Sequence, residues 1–168
     1  MYIIDNKETA RWAGLGEVGE GGGMNRKLII CFDNCCNSRL FDGDTSPKVE
    51  AQAAKIRHII NNRAKGGYLI VGSFAGDAEI EKIPDDEMRR KAKERYKKTI
   101  DGKVKNSTQI VARAQKLESM GLGPMDARHL AAAEAAGAKF LLTTDEKFIR
   151  KCQNRNITAV KVIDPLDF

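Results

Sequence analysis

A chain of 168 residues, 42% hydrophobic and 31% charged, can bury one sizeable core and is too apolar to be a disordered segment. No apolar run approaches the roughly 18 residues that suggest a membrane span, and no apolar leader opens the sequence, so no membrane association and a cytoplasmic location are expected. The net charge of +6 favours an anionic partner, with nucleic acid the commonest.

That charge is uneven along the chain. Residues 1–23 hold Asp5, Glu8, Glu17 and Glu20 against Lys7 and Arg11, a net of −2, which leaves +8 on residues 24–168. Gly14, Gly16, Gly19 and Gly21-Gly22-Gly23 interrupt this first stretch, and no apolar periodicity survives in it. Gly19-Glu20-Gly21-Gly22-Gly23 must be encoded by purine-rich codons just before Met24, which resembles a translated ribosome-binding site. The expected organisation is a tail over residues 1–23, disordered or not native, and a single domain over residues 24–168.

Within that domain strands and helices alternate. Leu28–Phe32 is a short apolar run suited to a buried parallel strand. Ser46 and Pro47 start a helix as N-cap and N1, with Val49, Ala53, Ile56, Ile59 and Ile60 as its buried stripe to about Arg63. Gly66-Gly67 breaks it before a second strand, Tyr68–Val71. Ser73 caps a helix holding Glu79 and Ile83 and stopped by Pro84. Pro84-Asp85-Asp86-Glu87, acidic where the helix dipole is positive, starts a helix over Arg89–Ile100. Thr108–Met120 follows, ended by Gly121. Gly123-Pro124 opens an Ala-rich helix through Ala136, with Gly137 as its C′ residue. Phe140–Thr143 is a third strand, Asp145 caps a helix to about Cys152, and Ala159–Ile163 is the last strand. This order predicts an α/β fold, a three-layer α/β/α sandwich around a mainly parallel central sheet.

Three carboxylates stand where strands end or a helix begins: Asp33, Asp126 and Asp145. In a parallel sheet such places converge on one crevice beyond the carboxyl ends of the strands. Clustered acids repel unless protons or a metal relieve them. Asp33 and Asp145 each have a plainer reading, as a turn residue and as an N-cap. Asp126 lies in the first turn of a helix of small and apolar residues, where a buried charge needs a partner. Glu79 sits at helical spacing between Ala75 and Ile83, with Asp77 and Glu81 as local competitors and a solvated face as the alternative. Thr143 and Thr144 are placed to hydrogen-bond a carboxylate. His129, three residues after Asp126, reads more readily as a packed histidine than as a base. Cys31, Cys35, Cys36 and Cys152 form no CxxC pair and read as small buried hydrophobes. Residues 89–98 hold seven basic residues in ten, with Met88, Ala92, Tyr96 and Ile100 as an apolar seam. Arg89, Arg90, Lys93 and Lys97 are therefore candidate RNA contacts, or a solvated face.

Phe32-Asp33-Asn34-Cys35-Cys36-Asn37-Ser38-Arg39, Met125-Asp126-Ala127-Arg128-His129-Leu130-Ala131 and Leu141-Leu142-Thr143-Thr144-Asp145 resemble the motifs of the PIN-domain nucleases, among them the toxins of toxin–antitoxin pairs. Ser73 with Glu79-Ile80 is similar to the family's second motif, and the resemblance runs from about Lys27 to Asp164. It implies an acidic quartet of Asp33, Glu79, Asp126 and Asp145 holding Mg²⁺ or Mn²⁺, with Glu79 as a ligand or a water-orienting base. It also implies in-line hydrolysis of RNA to a 5′-phosphate and a 3′-hydroxyl, an antitoxin protein that covers the acidic crevice, and homodimers. The first motif departs from the common form, with Asn34 and Cys35 where a hydroxyl residue and Asn usually follow the aspartate. A rival phosphoryl-transfer reading would want an acid where Cys35 stands. The non-enzyme alternative is a catalytically idle module that binds RNA or a partner.

Overall fold

The computed structural model describes residues 2–4, 27–41 and 43–168. Six strands form one parallel sheet: β1 (Tyr2–Ile4), β2 (Leu28–Phe32), β3 (Tyr68–Ser73), β4 (Gly102–Val104), β5 (Phe140–Leu142) and β6 (Lys161–Ile163). Among the described residues, seven α-helices surround it: α1 (Asn34–Arg39), α2 (Pro47–Asn62), α3 (Phe74–Ile80), α4 (Asp86–Thr99), α5 (Thr108–Ser119), α6 (Pro124–Ala135) and α7 (Glu146–Arg155).

The strand order is β1-β4-β3-β2-β5-β6, and every neighbouring pair is parallel. The chain winds outward from β2 through β3 to β4, then returns to the other side of β2 with β5 and β6. The winding reverses between β2 and β5, and a doubly wound sheet opens its crevice at such a switch point.

Alternation along β2 builds the layers. Ile29 and Cys31 face a core shared with Leu117 of α5, Leu130 of α6 and Phe148 of α7. Ile30 and Phe32 face the opposite core, with Cys36 of α1, Ile56 of α2, Ile80 of α3 and Tyr96 of α4. Fully burying one Leu, Ile or Phe side chain stabilises the fold by about 1.5–3 kcal/mol, so both faces need their helices.

Most boundaries agree with the sequence to within a few residues. The exceptions have local causes. Asn34–Arg39 coil into α1, six residues with no apolar period of their own, held down through Cys36. Gly102–Val104 form β4, a strand too short to show alternation. The apolar seam of α4 narrows to Ala92, Tyr96 and Ile100, because Met88 near the helix start is 64% exposed. Of the stretch that the sequence sets apart, Tyr2–Ile4 pair with β4 along the sheet edge. The rest of residues 1–23, including the proposed boundary before Met24, lies outside the described residues. No described helix is long and apolar enough to cross a membrane.

Candidate metal centre

Asp33 is placed by the sheet. Its N–H donates to the Leu142 carbonyl at 2.9 Å, which continues the β2–β5 pairing by one residue. It sits at the N-cap position of α1, yet its side chain makes no capping bond. The carboxylate instead turns toward β5, where Oδ2 accepts from the Thr143 hydroxyl at 2.7 Å and from the Cys35 thiol at 3.2 Å. The plain reading of Asp33 as a cap therefore fails at its side chain, which is held inside the switch-point crevice.

Thr143 is fully buried and works in two directions. Its hydroxyl donates to Asp33 and accepts the Asp145 N–H at 3.1 Å. Cys35 takes the Thr144 N–H on its sulfur at 3.2 Å, so the α1 start and the β5–α7 turn are cross-tied. The residue type at position 35, unusual for its motif, thus supplies a donor to Asp33. That role was not legible in the sequence, since a lone thiol gives no sign of its partner.

Asp145 behaves as an N-cap. Its Oδ1 accepts from the N–H groups of Lys147 at 2.8 Å and Phe148 at 3.1 Å. The plain and functional readings are compatible here, because those bonds engage one of its two oxygens.

Glu79, in the last turn of α3, reaches the crevice from the other side. Its Oε2 lies 3.0 Å from His129 Nε2, and the same nitrogen lies 3.3 Å from Asp33 Oδ1. His129 is 3% exposed, and its Nδ1 faces the Ser73 hydroxyl at 3.5 Å. Ser73 Oγ also caps α3 by accepting the Gly76 N–H. Nε2 thus faces the two carboxylates and Nδ1 faces the Ser73 hydroxyl. Burial alone would lower the His129 pKa; the Glu79 hydrogen bond and the charges of Asp33 and Glu79 outweigh it and raise the pKa. The sequence reading of His129 as packed holds, but its described partners are Asp33 and Glu79 rather than the nearby Asp126.

Asp126 is half-buried in the first turn of α6. Burial, and then the charges of Asp145 and Asp33, raise its pKa above the usual carboxylate value. The three aspartates therefore share one electrostatic neighbourhood. Gly123 makes room for Asp126: a Cβ there would lie 3.1 Å from its Oδ2.

One ligand atom from each of Asp33, Glu79 and His129 lies within 4.8 Å of the others, a span that suits a single cation with metal–ligand bonds of about 2.0–2.6 Å. Carboxylate oxygens with one imidazole nitrogen accommodate Mg²⁺ poorly at the nitrogen and Mn²⁺ more readily. The buried cysteines are not rivals for this role: burial pushes Cys31 up to about 12 and Cys152 to about 11, and Cys36 rises as well.

The basic residues in the first half of α4 are matched by acids. Arg89 pairs with Asp86, Arg90 with Glu87 and Glu94, Lys91 with Glu87, and Lys93 with Glu81 of the α3–α4 link. Lys97 is exposed on the same helix. At the foot of α1, Asn37 is 9% exposed, and neither atom of its amide has a hydrogen-bond partner among the described residues. Such a buried, unpaired group costs about 1–3 kcal/mol.

A family model described as the PIN domain matches residues 30–154. Among solved structures, the chain is similar to one in the crystal structure of VapBC2 from Rickettsia felis bound to a DNA fragment from their promoter. The TM-score is 0.54 and the identity 13%, over 82% of this chain and 98% of that chain. At that identity the likeness concerns the fold. No curated protein matches the sequence.

Proposed function

Because the chain belongs to the PIN domain family, we propose that it is a Mg²⁺- or Mn²⁺-dependent endoribonuclease, the toxin of a toxin–antitoxin pair. The observation that carries this reading is the convergence of Asp33, Glu79 and His129 at the sheet's switch point, beside Asp126 and Asp145. Asp33 and Glu79 would hold the cation with His129, and Asp126 and Asp145 would complete the acidic wall around it. A bound divalent cation supplies relief of the carboxylate repulsion, charge neutralisation at the scissile phosphate and a lowered water pKa.

The chain's own groups do the rest. Thr143 and Cys35 fix the rotamer of Asp33, so its second oxygen faces the crevice with little reorganisation. Glu79 remains partly solvent-accessible, which suits an oxygen of its carboxylate to take the proton from an attacking water. In-line attack would leave a 5′-phosphate and a 3′-hydroxyl. The likeness to a VapBC2 assembly supports an antitoxin partner, and self-association into a homodimer belongs to the same reading.

The test is cleavage of mixed cellular RNA by the purified protein with Mg²⁺, with Mn²⁺ and with EDTA, beside Asp126→Asn. Metal-dependent products should fall by at least about 100-fold in the variant, the lower range for loss of a positioned catalytic group. Equal inertness of both proteins, free of any bound inhibitor, would leave the idle binding module as the better reading.

A further inference from the structure

Three cations on one side of the molecule lack the acids that accompany their neighbours. Arg57 of α2, with Arg95 and Lys98 of α4, lines a hollow of about 320 Å³ together with Phe41 and Ile60. A second hollow, about 300 Å³, adjoins it and runs from Asn34 and Asn37 of α1 past Phe41 and Arg95 to Met88. Among the described residues no carboxylate lines either hollow. Arg57 donates to the Leu40 carbonyl and Arg95 to the Lys91 carbonyl, and neither they nor Lys98 forms an ion pair with a described residue. The basic residues one and two turns earlier on α4 are each matched by Asp or Glu.

The wall between the two hollows is a stacked pair. The Arg95 guanidinium carbon lies 3.7 Å from the Phe41 ring centroid, and Phe41 remains 58% exposed. A large aromatic ring held in water by a guanidinium on one face leaves the rest of its surface unpartnered. Nucleobases stack on both aromatic rings and guanidinium planes, and unpaired cations beside them meet the phosphates. The second hollow also contains the Asn37 amide, whose donor and acceptor both lack a partner among the described residues, the combination that a base edge can match.

We propose that the Phe41–Arg95 stack is a platform for one unpaired RNA base, with Arg57 and Lys98 taking the flanking phosphates. The site rests on the ribonuclease reading above and gives it a substrate class, single-stranded RNA. Its position fits that role. Helix α1 starts next to Asp33 and ends just before Phe41, and its six residues rise about 9 Å. At about 3.4 Å per stacked nucleotide, the platform lies roughly three nucleotides from the acidic crevice. A protein segment seated in the hollows is the competing occupant. It would use the apolar walls but has no general need for a planar stack or for unpaired cations.

The experiment measures binding of labelled single-stranded RNA heptamers by fluorescence anisotropy across a salt series. It uses the full-length chain in an Asp126→Asn background to keep the RNA intact. Phe41→Ala should weaken binding about 10-fold and Phe41→Trp should restore it, as expected for one stacked base. Arg57→Gln and Lys98→Gln should each lower the salt slope by about 0.7, while Arg90→Gln should leave it nearly unchanged. A heptamer with one abasic position should bind wild type and Phe41→Ala alike. Unfolding midpoints report that each variant is folded. Tight RNA binding that is indifferent to Phe41, Arg57 and Lys98 overturns the platform and leaves the nuclease reading standing. Displacement of a protein partner by Phe41→Ala with RNA affinity unchanged assigns the hollows to that partner and overturns the platform. No RNA binding by any form, together with no cleavage by wild type, sinks the ribonuclease reading itself.

Discussion

Asp126 shows how one half-buried acid among others can cost stability. Its carboxyl pKa is raised first by burial and then by Asp145 and Asp33, so the folded protein holds its proton more tightly than the unfolded chain does. Below the unfolded value both states are protonated and no penalty exists. As pH rises through the ordinary carboxylate range and past the raised folded value, the folded state alone carries the repulsion. Asp126→Asn removes that charge. In EDTA its unfolding midpoint should therefore exceed that of wild type at pH 7 and converge with it near pH 3. Urea denaturation at the two pH values reads the difference; a variant less stable than wild type at pH 7 would contradict the repulsion. The same residue is readable from sequence as an acid in an apolar helix, because burial can be inferred from Met125, Leu130 and Ala133. The tie from Cys35 to Asp33 could not be read, since it depends on a turn 108 and more residues away.

At the scale of elements, α4 acts on the site without entering it. The Tyr96 hydroxyl accepts the Ser73 N–H at 2.7 Å and donates to the Ser73 carbonyl at 3.0 Å, which pins the end of β3 where α3 begins. Gly72 and Gly76 permit this approach: a Cβ at either would come within 2.5 or 2.6 Å of the hydroxyl. Tyr96→Phe leaves two buried backbone groups unpaired and should cost about 1–3 kcal/mol in urea denaturation. It should also weaken metal binding, because Ser73 caps the helix that carries Glu79 and faces His129. Unchanged stability would show that the backbone finds other partners. The helix pattern and the Ser73 cap were legible as local signals. The tyrosine bolt was not, because Tyr96 reads equally well as one more apolar position in a seam. The α1 helix escaped notice for a similar reason: it is short, polar and held by one buried side chain, Cys36.

For the whole molecule, metal binding and folding should be linked. The centre joins residues from β2, α3, α6 and the β5–α7 turn, so it exists only in the folded state. A ligand that binds only that state, at about one hundred times its Kd, adds about 2.7 kcal/mol. For a protein of this size that corresponds to roughly 5–10 °C in Tm. Thermal unfolding with Mn²⁺ and then EDTA should show the rise and its reversal, and Asp33→Asn should show neither. A midpoint indifferent to Mn²⁺ in wild type would count against a metal centre. The layered fold itself was legible because strands and helices alternate with clear punctuation. Strands β1 and β4 were not: β1 lies in a stretch without apolar periodicity, and Gly102-Lys103-Val104 shows no apolar run.

The parallel pairing of β2 with β5 has a consequence during synthesis. Asp33 and the Thr143 hydroxyl that orients it are 110 residues apart, and Asp145 comes later still. Parallel partners so distant in sequence give a high contact order and pair late. During translation, at about 5–20 residues per second, the emerging chain exposes Asp33 many seconds before its partners exist. A nascent chain stopped anywhere before β5 therefore lacks the assembled crevice. The topology leaves this crevice unassembled on the ribosome until most of the chain has been made.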